Sequence, residues 1–203
     1  QIILYDGLTG ALISSIPEPG RFSQAVKLGP DGLLYVSGGG ASDVIRYDLT
    51  TGARVGVFVP SGSGGLAAAD DMEFLPDGSL LVASFFSRQV LRYNGTTGAF
   101  IDAFVAEGSG GVDMPWGLEL REGMLYVSSF ATDQILRYDG TTGEFVDEFV
   151  TAGSGGLDGP SYFVFGPDGN LYVGSFGTDE VLRYKGEVTF TDIGVELKEV
   201  AAS

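Results

Sequence analysis

The sequence predicts an all-β protein, a β-propeller of four-stranded antiparallel blades with four full repeats after an N-terminal half-blade. First, tyrosines recur 45 or 46 residues apart within the segments VIRYD, VLRYN, ILRYD and VLRYK, at Tyr47, Tyr93, Tyr138 and Tyr184. Second, each repeat contains short β-rich runs, at 33–37, 80–84, 125–129 and 171–174, and no segment has persuasive helical periodicity. Repeats of this length are typical of solenoids and propellers, and the strand chemistry favours a propeller, with a ring of four or five blades.

One repeat can be followed strand by strand. In the last one, an inner strand at 162–166 leads through a Pro-Asp-Gly turn to a second strand at 170–174, a Ser-Phe corner and a third strand at 180–185. In the earlier repeats a Thr-Thr-Gly turn then leads into a fourth strand, at 55–59, 100–105 and 145–150. Glycine at these turns suits the positive φ that tight hairpins require. We therefore predict a single domain over 1–203, with a half-blade at 1–16, blades at about 22–60, 67–105, 114–151 and 160–192, and a tail at 193–203.

Several repeated elements are interpreted as structural. Gly-Ser-Gly-Gly segments at 62–65, 108–111 and 153–156 are predicted connectors between blades, because a phosphate-binding loop would lead into a helix and none follows. Ser-Phe corners recur at 84–85, 129–130 and 175–176, where the first repeat has three glycines at 38–40, and this recurrence indicates blade-to-blade packing. The repeated arginines are expected to form a salt-bridge ring with neighbouring acids: Arg46, Arg92, Arg137 and Arg183 with Asp43, Asp133 and Asp179.

The segments PDGLLYV at 30–36 and PDGNLYV at 167–173 resemble the NHL-repeat β-propellers. The Thr-Thr-Gly and Gly-Ser-Gly-Gly-Leu elements make the chain similar to exported, highly repetitive bacterial propellers that often carry PEP-CTERM sorting tails, and more distantly to gluconolactonase-like propellers. This resemblance implies a secreted or cell-surface bacterial protein, extracellular or periplasmic. It is weak for function, because similar blades occur in hydrolases, lyases, sensor domains and interaction modules. The chain begins at Gln1 rather than Met, which we interpret as a processed form.

The composition argues against several classes of function. Eleven basic and 27 acidic side chains give a formal net charge of -16, which disfavours nucleic acid and anionic membranes as partners. The chain has no Cys and no His, so thiol nucleophiles, Ser-His-Asp triads, imidazole bases and nearly all zinc sites are excluded. No apolar run is long enough to span a bilayer. These absences favour a protein without chemistry of its own.

Residues 1–16 form a surplus hairpin, because the chain has five third-strand motifs but only four inner-strand motifs. Propellers usually bury their end blades by letting one terminus complete the blade that the other begins. We consider three arrangements, in this order. The strand at 12–16 supplies the outer strand of the last blade and closes a four-bladed ring, or residues 1–16 pair with the tail at 188–200 as a reduced fifth blade, or the hairpin completes a blade in a neighbouring molecule.

The predicted ligand site lies at the mouth of the central channel, where the inner strands begin. Counting back from the turn after each inner strand places Gln24, Asp70, Pro115 and Ser161 at one level and Ala25, Asp71, Trp116 and Tyr162 at the next, with Lys27 and Glu73 opposite Leu118 and Val164 two positions deeper. The candidate residues are Asp70, Asp71, Trp116, Tyr162, Gln24, Lys27 and Glu73. Carboxylates beside aromatic rings suit a cation, a sugar or a cationic group of a partner. In the alternative interpretation, the aromatic rings plug the channel and the acids are solvated.

No cofactor is predicted, and Ca²⁺ is the one candidate ion. Asp70, Asp71 and Glu73 offer the oxygen ligands that Ca²⁺ takes. The resemblance to gluconolactonase-like propellers implies a divalent ion held by ligands from several blades, whereas this sequence offers acids mainly from one blade.

The leading functional hypothesis is a non-catalytic extracellular module for binding or assembly, which presents its channel mouth or its edge strands to a protein or glycan. The first alternative is a divalent-metal-dependent hydrolase of the lactonase kind, with Asp70, Asp71 and Glu73 as ligands. The second is a structural subunit that self-associates by strand exchange through residues 1–16. No catalytic residue is assigned.

Overall fold

The chain folds as a β-propeller with four blades and an N-terminal half-blade, in a computed structural model that describes residues 1–18 and 22–186. The predicted fold class is confirmed. The half-blade is a hairpin of β1 (Ile2–Tyr5) and β2 (Leu12–Ile16). The first blade contains β3 (Ser23–Leu28), β4 (Leu34–Gly38), β5 (Asp43–Tyr47) and β6 (Arg54–Val59), and the second contains β7 (Ala69–Phe74), β8 (Leu80–Ser84), β9 (Gln89–Tyr93) and β10 (Phe100–Val105).

The third blade contains β11 (Pro115–Arg121), β12 (Met124–Ser129), β13 (Gln134–Asp139) and β14 (Phe145–Val150). Within the described residues the fourth blade contains β15 (Pro160–Phe165), β16 (Leu171–Ser175) and β17 (Glu180–Tyr184). The rest of the predicted blade at 160–192 and the tail at 193–203 lie outside the described residues. Each blade is an antiparallel meander that runs from the inner strand outward, and the inner strands β3, β7, β11 and β15 contact one another in chain order.

The core consists of apolar layers between neighbouring blades. One layer joins Leu81 and Val90 of the second blade to Val127 and Leu136 of the third. Equivalent layers join the half-blade to the first blade, the first to the second, and the third to the fourth. The second strands β4 and β8 are buried along their whole length because a neighbouring blade covers each face.

The repeated tyrosines tie each blade to the connector that precedes it. The hydroxyls of Tyr93, Tyr138 and Tyr184 donate to the carbonyls of Ser63, Ser109 and Ser154, at 2.8, 2.7 and 2.7 Å. These serines begin the short 3₁₀ turns of the Gly-Ser-Gly-Gly connectors. In the first blade the Tyr47 hydroxyl donates instead to the buried Glu18 carboxylate, at 2.7 Å. The tyrosine spacing in the sequence therefore reflects one hydrogen bond repeated around the propeller.

Glycine is required at the middle of these connectors. Gly64 and Gly110 have φ of 63° and 60°, in the left-handed region. A side chain at either position would also collide with an aromatic ring on the fourth strand of the blade that follows, Phe100 for Gly64 and Phe145 for Gly110. The connectors are structural turns, and the described part of the chain contains no α-helix after them that could form a phosphate site.

The N-terminal hairpin packs against the first blade of its own chain. Its two strands pair with each other, and Ile2 and Ile16 are buried against Leu34, Val36 and neighbouring residues of that blade. The first predicted arrangement is therefore wrong, because β2 pairs with β1 and not with the last blade. Pairing with 188–200 concerns residues outside the described ranges, and strand exchange between molecules stays a prediction.

The arginine ring has different partners from those expected. Arg92 Nε donates to Asp102 at 3.0 Å, and Arg137 Nε to Asp147 at 2.7 Å, in both cases across to the fourth strand of the same blade. In the first blade Gly56 faces Arg46, and the guanidinium lies 3.6 Å from the Asp31 carboxylate. Asp133 instead accepts the N–H of Gly159 at 2.8 Å. The predicted pairing of Arg137 with Asp133 is therefore wrong, because strand register brings the fourth-strand carboxylate of Asp147 opposite Arg137, as it brings Asp102 opposite Arg92.

The serine of each Ser-Phe corner anchors the chain as it approaches the inner strand. The hydroxyls of Ser84, Ser129 and Ser175 accept the N–H groups of Ala67, Asp113 and Asp158, at 2.9, 2.9 and 3.0 Å. All three serines are buried. Each hydroxyl therefore satisfies a backbone group that has no strand partner.

We expect Ser129→Ala to lower the free energy of unfolding by about 1–3 kcal/mol, because it leaves the Asp113 N–H without its acceptor. Urea denaturation followed by circular dichroism would measure this. The matched control is Ser14→Ala on the exposed face of β2, with an expected change below about 0.5 kcal/mol. Equal effects of the two substitutions would contradict the anchoring role.

Candidate functional site

The inner strands share an irregularity that places side chains at the channel mouth. In each of β3, β7, β11 and β15, the pairing with the second strand is interrupted by two residues near the start of the strand. Such bulges redirect side chains and are common next to binding sites. The first residues of these pairs are Gln24, Asp70, Trp116 and Ser161, and the second are Ala25, Asp71, Gly117 and Tyr162.

This arrangement corrects the predicted alignment of the third blade by one residue. Trp116 lies level with Asp70, not with Asp71, and Glu119 rather than Leu118 lies level with Glu73. The reason is the turn between β11 and β12, where only Glu122 and Gly123 separate the strands and both have positive φ, 52° and 81°. The other blades use a longer Pro-Asp-Gly turn, so counting back from the turn shifts the third blade.

A cavity of about 250 Å³ opens between the first three blades at this end of the propeller. We name it the channel-mouth pocket and define it by its lining residues: Phe22, Gln24, Gly39, Gly40, Ala68, Asp70, Phe85, Phe86 and Trp116. Three of the predicted site residues, Gln24, Asp70 and Trp116, belong to it. The other four, Lys27, Asp71, Glu73 and Tyr162, do not line it.

The pocket exists because the first blade lacks an aromatic corner. Strand register makes Gly39 the counterpart of Phe85, Phe130 and Phe176. These three rings surround Trp116, with centroid separations of 5.5, 5.3 and 6.2 Å from the indole. In the first blade the glycines leave open the space that a phenyl ring fills elsewhere.

Three aromatic residues of the pocket wall, Phe22, Phe85 and Phe86, were not among the predicted site residues. Phe85 and Phe86 come from the Ser-Phe corner that was interpreted as blade packing, and Phe22 precedes the first inner strand. The break in the repeat at Gly38-Gly39-Gly40 was the signal that could have located the pocket. A corner that departs from the other three marks the place where the propeller is asymmetric.

Among the residues that the structure describes, Asp70 is the one titratable side chain that lines the pocket. It is only 3% exposed, and its carboxyl makes no hydrogen bond or ion pair with any described residue. Burial, and to a lesser degree the charge of Asp71, raise the pKa of Asp70 from 3.8 to about 7. The Asp70 oxygens are not among the side-chain atoms that are fully shielded from solvent and lack a partner, so the carboxyl faces the cavity and not the packed core.

Asp71 has a structural role instead. Its carboxylate accepts the N–H of Leu118 at 2.9 Å and its neighbour Met72's N–H at 2.8 Å, so it bridges the second and third blades. Burial raises the pKa of Asp71 to about 6, and the two backbone hydrogen bonds and the charge of Lys27 oppose that rise. The two adjacent aspartates therefore differ in environment, since backbone N–H groups donate to Asp71 and no described residue donates to Asp70.

The acids proposed as Ca²⁺ ligands do not converge. Glu73 forms an ion pair with Lys27, and Asp71 is held by backbone N–H groups. Over residues 1–18 and 22–186, no group of three acidic side chains is arranged to hold a metal ion. The donor set of this site therefore does not match the six to eight oxygens that Ca²⁺ takes.

Tyr162 supports Trp116 from the fourth blade. Their ring centroids are 6.2 Å apart, and the tyrosine is 37% exposed. The indole Nε1 is shielded from solvent and makes no hydrogen bond of good geometry. Burial raises the pKa of the Tyr162 hydroxyl above its usual value, so the group stays neutral. Trp116 is thus held by aromatic contacts on several sides while one part of its ring lines the pocket.

No protein-family model matches this chain, and no curated protein matches its sequence. Solved β-propellers match it in fold. The WD40 repeats of RRP9 superpose with a TM-score of 0.59 at 16% identity, over 84% of this chain and 53% of that chain. A catalytically inactive variant of virginiamycin B lyase from Staphylococcus aureus, solved with quinupristin, gives a TM-score of 0.63 at 15% identity, over 90% of this chain and 62% of that one.

The extracellular domain of a protein from B. thetaiotaomicron also matches, with a TM-score of 0.57 at 18% identity, over 82% of this chain and 25% of that chain. At these identities the similarity shows the fold alone. The chain spans 53% of the RRP9 chain and 62% of the lyase chain. The narrower resemblance to NHL-repeat and PEP-CTERM-associated propellers stays a prediction. Among the described residues, no helix has the length and apolar character needed to cross a membrane.

The raised pKa of Asp70 predicts a specific dependence of stability on pH. The unfolded chain loses this proton near its ordinary pKa of 3.8, whereas the folded chain keeps it up to about 7. The ionised carboxyl is therefore disfavoured in the folded state, and its contribution to the free energy of unfolding falls as pH rises through this window and is constant above it. We expect Asp70→Asn to be more stable than the wild type at about pH 8, by up to about 4 kcal/mol, with the difference vanishing near pH 4.

Urea denaturation of both proteins across this pH range would measure the difference. Glu148→Gln, an exposed carboxylate on β14, is the matched control and should follow the wild-type profile. Parallel profiles for Asp70→Asn and the wild type would show that Asp70 is not buried as a neutral acid.

Proposed function

We propose that this chain is a non-catalytic binding module that receives a small ligand in the channel-mouth pocket and acts outside the cell. The observation that carries the proposal is the Asp70 carboxyl, which is buried, has no partner among the described residues and lines an aromatic cavity. A carboxyl that the protein leaves without a hydrogen-bond partner is available to a ligand that displaces water from the cavity. Concave, mainly apolar sites with a few polar groups are typical of ligand binding.

The pocket offers binding groups and no catalytic set. Asp70 is its one titratable residue within the described ranges, and the chain has neither Cys nor His. Nucleophilic catalysis needs a nucleophile with an activating base beside it, and the described lining of the pocket has no such pair. Gln24, the other polar side chain of the lining, is neither an acid nor a base. These features support binding without turnover.

An extracellular location is supported by two independent similarities. The repeats resemble those of exported bacterial propellers, and the solved structures that match in fold include an extracellular domain. Propeller neighbours also include WD40 repeats and a lyase, so the fold itself is compatible with several functions. The site, rather than the fold, supports binding.

The single tryptophan of the chain makes the pocket measurable. Because Trp116 lines the cavity, a bound ligand should change its fluorescence. We expect at least one of four probes to produce a saturable change in the Trp116 fluorescence of the wild type. The probes are 2-phenylethanol, phenethylamine, phenol and methyl glucoside. Gly40→Phe should weaken this binding about tenfold or more, because a ring at this position occupies the pocket.

Gly40 tolerates a side chain, since its φ is not in the left-handed region and an added Cβ would lie 3.6 Å from Phe22. The matched control is Gly7→Phe in the turn of the N-terminal hairpin, where nothing lies within 4 Å of an added Cβ. It should bind like the wild type. Saturable binding that Gly40→Phe leaves intact, or no binding by any probe, would overturn the proposal.

A further inference from the structure

The channel-mouth pocket contains a carboxyl group that has no counter-charge among the described residues. No cationic side chain of the described residues lines it, and the nearby Lys27 is paired with Glu73. The ion pair formed by Lys27 therefore leaves Asp70 without a counter-charge. Because the whole chain has a formal charge of -16, the long-range field also favours an approaching cation.

The titratable groups near Asp70 are acidic or neutral, apart from Lys27, which is paired with Glu73. On its own strand, β7, Asp71 and Glu73 are acidic, and on β3 the one cation, Lys27, is neutralised by Glu73. On β11, burial raises the pKa of the half-buried Glu119, and on β15 Tyr162 stays neutral. No element packed against Asp70 contributes an unpaired cation in the described part of the chain.

The walls favour a cation with an apolar body. Phe22, Phe85, Phe86 and Trp116 present ring surfaces, and the faces of such rings carry negative charge that attracts cations. A sugar would need several hydrogen-bond partners for its hydroxyls. The polar side chains of the lining are limited to Asp70 and Gln24, because the indole Nε1 of Trp116 is shielded. A ligand with one charged end and one apolar body therefore matches the side chains that line the pocket.

We infer that the channel-mouth pocket binds a small organic ammonium ion, whose charged nitrogen pairs with Asp70 and whose apolar body lies against the aromatic walls. This inference rests on the proposed function and assigns its ligand class. A cavity of about 250 Å³ has room for a compact aromatic amine and not for a folded partner. The ligand supplies the counter-charge that the described residues of the protein lack.

The inference is tested with three probes that share a phenylethyl group and differ in charge: phenethylamine, 2-phenylethanol and 3-phenylpropionate. Isothermal titration calorimetry and Trp116 fluorescence measure their affinities. We expect the amine to bind the wild type at least about tenfold more tightly than the neutral alcohol, and the anion not to bind. Asp70→Asn should remove this preference for the amine and leave the affinity for the alcohol unchanged. Glu148→Gln removes the same charge from an exposed site and should keep the wild-type preference.

The pH dependence gives a second readout. Phenyltrimethylammonium keeps its charge at every pH, so any change in its affinity reports on the protein. We expect tighter binding at about pH 8 than at about pH 5.5 in the wild type, because the Asp70 carboxyl must ionise to pair with it, and a flat profile in Asp70→Asn. A flat profile in the wild type would overturn the pairing with Asp70.

The outcomes separate the inference from the proposed function. Equal affinities for the amine and the alcohol, with Gly40→Phe still blocking both, would overturn the ammonium assignment and leave the pocket as a binding site. Binding of the amine that neither Asp70→Asn nor Gly40→Phe weakens would place it elsewhere and overturn the assignment. If no probe of any charge bound the wild type, both the assignment and the proposed function would fail.

Discussion

Each blade of this propeller depends on a neighbour at each face, because its sheet is apolar on both sides. The effect of stacking is visible at equivalent positions of the inner strands. Met72 and Leu118, with blades on both sides, are 0% and 5% exposed, whereas Val26 on the first inner strand is 54% exposed. The same residue class is thus buried or exposed according to its place in the stack. Burial of these layers is the main contribution to stability, as in other repeat architectures.

Hydrogen bonds repeated from blade to blade position the layers. The tyrosine hydroxyls hold the connectors, and the corner serines hold the chain that approaches each inner strand. Because these bonds are the same in successive blades, they carry no information about a unique site. The channel-mouth pocket lies where the repetition fails, at the glycine corner of the first blade, and Phe85 and Phe86 of the next corner form part of its wall.

Two adjacent aspartates show how the inner-strand bulge separates structure from function. The bulge places Asp71 within hydrogen-bond distance of a backbone N–H in the third blade, and it places Asp70 at the pocket wall. Both are desolvated, and desolvation raises both pKa values. Asp71 accepts hydrogen bonds from the backbone N–H groups of Leu118 and Met72, so its carboxylate contributes to the contact between the second and third blades. Asp70 has no such compensation, which makes it the polar group best suited to a ligand.

Sequence reasoning predicts the repeat, the strand and turn pattern within each blade, the N-terminal half-blade and three residues that line the pocket, Gln24, Asp70 and Trp116. These features depend on local periodicity and turn chemistry, which are readable along the chain. Only the folded chain shows that β2 pairs within its own hairpin, that Arg92 and Arg137 pair with fourth-strand acids, and that Phe22, Phe85 and Phe86 line a pocket. Only the folded chain also shows which of two neighbouring carboxyls has a hydrogen-bond partner. These outcomes depend on a two-residue turn, on strand bulges and on the packing of one blade against the next, which bring together residues that no local pattern connects.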